Sequence, residues 1–97
     1  MSRILIVRYR THAEAADENA RLIVDVFTAL ADLAPDGFRY SAYRLADEVS
    51  FVHVASLDSD DNPLAGLPEF AEFQRELPAR CAELPGASEA TVVGNYS

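Results

Sequence analysis

Hydrophobic residues recur along this chain with two different periods, and the order in which those periods alternate restricts the fold more than any other feature. The stretch Arg3-Ile-Leu-Ile-Val-Arg-Tyr-Arg10 is rich in β-branched and aromatic residues and too short for a typical helix, so it predicts a strand. Leu5, Val7 and Tyr9 share one face of it; Ile4, Ile6, Arg8 and Arg10 share the other. The period then changes. Leu22, Ile23, Val26, Phe27, Leu30 and Leu33 fall at helical spacing. Thr11-His-Ala-Glu14 has the pattern of a capping box, which would start that helix, and Pro35-Asp-Gly37 would stop it.

Alternation returns in two stretches joined by the short polar link 46–49, the pattern of a hairpin. In the first, 38–45, Phe38, Tyr40 and Ala42 oppose Arg39, Ser41 and Tyr43. In the second, 50–57, Phe51, His53, Ala55 and Leu57 oppose Val52 and Val54. After an acidic turn at Asp58, Asp60 and Asp61, helical spacing resumes in Leu67, Phe70, Phe73, Leu77 and Cys81, with Pro78 expected to kink or split the helix. Pro85-Gly86 punctuates, and 90–96 is expected to form a last strand.

The order is therefore βαββαβ, within a single domain spanning 1–97. It predicts an α+β, ferredoxin-like fold: a four-stranded antiparallel sheet with both helices on one face. Nothing in the order covers the other face. Both faces of the central strands are largely apolar, since Ile4 and Ile6 oppose Leu5 and Val7 and Phe51 opposes Val52, and an apolar sheet face left in water is an interaction surface. A homodimer with sheets packed face to face is the simplest closure.

Composition excludes several functions. Sixteen acidic residues against eight basic ones give a net charge of -8, the wrong sign for a nucleic-acid or anionic-membrane partner. All the basic residues are Arg, so no lysine can form a Schiff base. The lone Cys81 cannot make an internal disulfide, and no zinc, calcium or Gly-rich phosphate pattern is present, so no metal is expected. The apolar run Ile4–Val7 is too short for a signal peptide, and no stretch approaches membrane-spanning length; a cytoplasmic location is the expectation.

The order of elements, the opening Ile6-Val-Arg-Tyr-Arg10 strand running into a helix, and the later Phe70-Ala-Glu-Phe73 helix together resemble the dimeric α/β-barrel superfamily. Within it the chain is similar to the small proteins grouped with the antibiotic-biosynthesis monooxygenases. The resemblance implies a homodimer with a ligand cavity between sheet and helices in each subunit, and oxygenation of aromatic or polyketide-like compounds without a cofactor. The haem-degrading branch of the superfamily is not implied. It uses a Trp, a His on the second helical segment and an Asn on the first strand, whereas this chain has no Trp, no His after Leu64, and Val7 at the strand position.

His53 is the candidate base, since imidazole titrates near neutral pH and a small change of surroundings tunes it. Central pairing of the first and third strands would bring Tyr9 close to it, where a phenol can position a proton. Val7, Phe51, Tyr40 and Phe73 are the expected ligand-lining residues. His12 has no companion at metal-ligand spacing. The rival readings are a ligand-binding or regulatory dimer without catalysis, and a structural dimer.

Overall fold

A computed structural model describes residues 3–97. Strand β1 (Arg3–Thr11) leads through a 3-10 turn (Ala13–Ala15) into helix α1 (Ala16–Leu33). Strands β2 (Phe38–Arg44) and β3 (Ser50–Leu57) form a hairpin. A second 3-10 turn (Pro63–Gly66) precedes the short helices α2 (Pro68–Arg75) and α3 (Leu77–Arg80), and β4 (Cys81–Ala90) closes the sheet. The sheet order is β2-β3-β1-β4 with every neighbouring pair antiparallel, so the architecture is the α+β, ferredoxin-like one.

The core lies between the sheet and the helices. Tyr9 and Phe51 from the sheet meet Leu22, Ile23, Val26 and Leu30 of α1 and Phe73 and Leu77 of the second helical layer. The α1 stripe is buried as its spacing predicts, except for Phe27, which is half-buried, and Leu33, which is exposed at the helix end. Beyond it Ala34 takes a left-handed conformation (φ 46°), and its N–H reaches the Leu30 carbonyl at 2.7 Å. Gly37 then turns the chain at φ 70°, where a Cβ would come within 3.2 Å of the Asp58 Cβ; the site is both left-handed and crowded, which glycine alone satisfies.

Two sequence expectations are corrected. Thr11 does not cap α1. The β1 ladder continues through Thr11, which pairs with Cys81, while its N–H and hydroxyl both go to the Val49 carbonyl (2.8 and 3.3 Å). With that hydroxyl engaged and Glu14 exposed, no reciprocal box forms.

The last strand is Cys81–Ala90 rather than 90–96. Cys81 is its buried first residue, not part of a helix. Pro85-Gly86 lies inside β4, tolerated because β4 is an edge strand and the ladder bulges there. Arg8 pairs with Gly86, Arg10 with Glu83 and Thr11 with Cys81, so β4 gains one extra residue at each step. Residues 91–97 are outside the sheet, with Val93 and Tyr96 fully exposed.

Both helical layers pack on the face that carries Tyr9 and Phe51. The opposite face presents Ile4, Ile6, Val52 and Val54, half-buried by their neighbours, together with exposed Arg8, Arg39 and Tyr43. Among the described residues, no helix is long and apolar enough to cross a membrane.

Candidate functional site

Strand register builds the site. His53 lies directly opposite Val7 on β1 and Ala42 on β2. Tyr9 pairs with Phe51, one step along β3 on the same face, and Tyr40 pairs with Ala55, one step the other way. The two tyrosines therefore sit diagonally on opposite sides of the imidazole, a spacing that long side chains span. The small partners Val7, Ala42 and Ala55 leave room for the ring and for a hollow above it.

That hollow is a cavity of about 190 Å³. Leu5, Val7 and Tyr9 of β1, Tyr40 of β2 and His53 and Ala55 of β3 form its floor. Phe70 and Phe73 of α2 and Leu64 roof it, and Asn62 and Gln74 supply further polar groups.

Of the residues singled out from sequence, Tyr9, Tyr40, His53, Val7 and Phe73 share this cavity. Phe51 does not line it. Its register opposite Tyr9 places it behind that ring, fully buried and stacked on it with centroids 5.5 Å apart, so it supports the wall rather than forming it. His12 is exposed, and Tyr43 and Tyr96 lie away from the cavity. Of the strand arginines, Arg10 pairs with Glu83 (2.7 Å) and Arg44 with Asp17 (3.1 Å).

A chain of hydrogen bonds runs through the cavity floor. The Arg80 Nε–H donates to Asn19 Oδ1 (3.1 Å), and Asn19 Nδ2 donates to Tyr9 Oη (2.9 Å). Tyr9 Oη lies 2.8 Å from His53 Nε2, and Tyr40 Oη lies 2.6 Å from His53 Nδ1. Arg80 Nη2 also donates to the Phe73 carbonyl (2.6 Å), and its guanidinium stands over the Phe73 ring.

Sequence reasoning missed Asn19 and Arg80. Asn19 carried a legible signal, because it lies four residues before Ile23 and seven before Val26, a polar residue on the apolar stripe of α1, and it is wholly buried. Arg80 carried none, since its position depends on where α3 gives way to β4.

Burial controls the protonation states. Removal from water pushes the His53 imidazole down to about 4, so the ring is neutral at pH 7. It pushes the Tyr40 phenol up to about 12 and raises Tyr9 further, with Asn19's hydrogen bond opposing part of that rise. Both phenols stay protonated. The site is a neutral, hydrogen-bonded imidazole between two phenols on the floor of an apolar, aromatic-walled hollow.

Comparison with solved structures finds the same fold in several proteins, some of them named as antibiotic biosynthesis monooxygenases. The protein Rv0793 from Mycobacterium tuberculosis superposes with a TM-score of 0.77 over 100% of both chains, at 19% identity. SnoaB, a cofactor-independent oxygenase from Streptomyces nogalater, superposes with a TM-score of 0.70 at 19% identity, covering 97% of this chain and 95% of its own. A protein from Nitrosomonas europaea, provisionally assigned as an antibiotic biosynthesis monooxygenase, gives a TM-score of 0.77 at 11% identity, with 95% and 90% covered. No family model and no curated protein matches the chain.

Proposed function

We propose that this protein is a cytoplasmic homodimer that oxygenates small aromatic compounds without a cofactor, with His53 as the base acting through Tyr9. The observation that carries the reading is the buried Tyr9–His53 contact of 2.8 Å facing an apolar cavity. The fold shared with a cofactor-independent oxygenase supports it.

Such a reaction needs an electron-rich phenol or enol whose anion can reduce O2. In the proposed sequence the substrate O–H donates to Tyr9 Oη while Tyr9's own hydrogen moves to His53 Nε2. The substrate anion passes one electron to O2, and the resulting radical pair joins through a carbon–oxygen bond to give a peroxide. The imidazolium returns its proton through Tyr9 to the peroxide anion, and loss of water leaves a new carbonyl, so substrate plus O2 yields quinone or ketone plus water, with all four electrons that reduce O2 taken from the substrate.

Protonating an imidazole held near 4 costs about 4 kcal/mol at pH 7. Attraction to the substrate anion formed beside it, strong in apolar surroundings, offsets that cost. Between turnovers the same low value keeps Nε2 free to accept.

A second copy of the chain is the proposed cover for the open sheet face, where Ile4, Ile6, Val52 and Val54 meet no helix. One free, buried cysteine is in keeping with a reducing compartment.

Oxygen uptake with a panel of one- and two-ring quinols and their keto tautomers tests the activity. Turnover that falls by about 100-fold or more in His53→Ala is the expected result. No uptake with any of them overturns the oxygenase reading, and equal activity in the variant removes His53 as base. One observation favours a second reading, a binding module without turnover: both ring nitrogens of His53 are engaged by tyrosines, leaving neither facing a ligand directly.

A further inference from the structure

The hydrogen-bond chain in the cavity floor has a direction, and one residue fixes it. A guanidinium only donates, so the Asn19 atom 3.1 Å from Arg80 Nε must be the carbonyl oxygen, and the amide nitrogen must face Tyr9. Tyr9 Oη therefore accepts from Asn19, and its own hydrogen needs an acceptor. Tyr9 is 3% exposed, so an unmatched hydrogen there would be costly, and His53 Nε2 at 2.8 Å is the acceptor within reach.

The neutral ring then carries its proton on Nδ1 and donates it to Tyr40 Oη at 2.6 Å. The reverse arrangement would strand the Tyr9 hydrogen in the core. Passed along in this way, the surplus hydrogen arrives at Tyr40, the less buried of the two phenols and part of the cavity lining. Asn62 adds a donor of the same sense: its Oδ1 is occupied by the Leu64 N–H (3.0 Å), which leaves its NH2 free.

We infer that the cavity selects a one- or two-ring aromatic compound carrying a hydrogen-bond-accepting oxygen, and that the Tyr40 hydroxyl is the donor that recognises this oxygen. The inference rests on the reading that this cavity is the functional site. Size sets the ring count. An apolar cavity of roughly 150 Å³ holds benzene, and sites for drug-sized molecules start at about 300 Å³. At about 190 Å³ this one suits one ring or two fused rings. The aromatic walls Phe70, Phe73 and Tyr40 suit a flat ligand.

Two measurements on the wild-type protein test the inference without reference to turnover, so failure of the oxygenase reading and failure of this one are distinguishable. The first is the tautomer of His53 by nitrogen-15 NMR of the imidazole. The expected form bears hydrogen on Nδ1, and a ring protonated on Nε2 overturns the direction of the chain.

The second is the affinity for 1-tetralone against tetralin, which differ by one accepting oxygen. The ketone is expected to bind about tenfold more tightly, the discrimination of one hydrogen bond to an otherwise unmatched donor. Tyr40→Phe is expected to bring the two affinities level. Equal binding in the wild type, no binding of either compound, or a preference that survives Tyr40→Phe each overturns the assignment.

Discussion

The His53 imidazole couples the stability of the fold to pH, and the size of the effect follows from its burial. In the unfolded chain its pKa is the ordinary 6.5; in the fold, removal from water holds it near 4. The unfolded state therefore takes up a proton first as pH falls. Stabilisation from keeping this ring neutral is complete above pH 6.5 and is lost progressively down to about 4. The whole gap is worth about 3 kcal/mol, and about 2 kcal/mol of it is gone by pH 5.

Against the roughly 5–15 kcal/mol that holds a typical domain together, such a loss is readily measured. The perturbation is His53→Gln, which retains a donor and an acceptor but does not titrate. Urea unfolding at fixed protein concentration, at pH 7 and pH 5, gives the comparison. The other titrating groups are common to both proteins and cancel in the difference. The wild type is expected to lose about 2 kcal/mol more than the variant between those pH values. Parallel losses in the two proteins would refute the reasoning, because they would mean that His53 is solvated in the fold.

Asn19→Leu keeps the volume of a wholly buried side chain but deprives Arg80 and Tyr9 of their partner; we expect a loss of about 3 kcal/mol in denaturant unfolding, with a loss under about 1 kcal/mol contradicting the network. Val54→Glu puts a charge at the centre of the open sheet face, opposite Ile6. It is expected to convert the proposed dimer to a monomer in analytical ultracentrifugation while leaving the far-ultraviolet circular dichroism unchanged; a variant that remains dimeric places the interface elsewhere.

Elements whose periodicity and burial agree were legible in the sequence. Strand β3 runs over Ser50–Leu57 as its alternation predicts, because Phe51, His53 and Leu57 face the core while Val52 and Val54 face away. The same alternation put His53 with Phe51 and Tyr40 with Phe38, but it does not encode which face the helices cover. Strand β4 was not legible. Cys81-Ala-Glu-Leu-Pro-Gly-Ala-Ser-Glu-Ala90 has little β-branched content and contains a turn dipeptide, and it is a strand only because β1 offers it an edge to pair with. Thr91-Val-Val93 has the better strand composition and no partner in the sheet. The polar half of the site was hidden for the same reason: Arg80 reaches Asn19 across 61 residues of sequence, and no local pattern encodes that distance.

Arg80 matters to the cavity although it does not line it. A buried cation on the far side of Tyr9 imposes donor character on Asn19, and each later group can satisfy its neighbour in only one sense. The orientation that reaches the cavity is thus set in the core, by packing around Phe73 and α3, rather than by the residues a ligand would touch. Burial keeps His53 neutral, while the same network holds both of its nitrogens. The stability of the fold and the sense of the hydrogen bonds facing the cavity consequently depend on one proton. Acidification below pH 6.5 weakens the fold through the unfolded chain's imidazole well before the native ring itself is charged, so the folded cavity retains its acceptor at Nε2 for as long as the fold persists above pH 4.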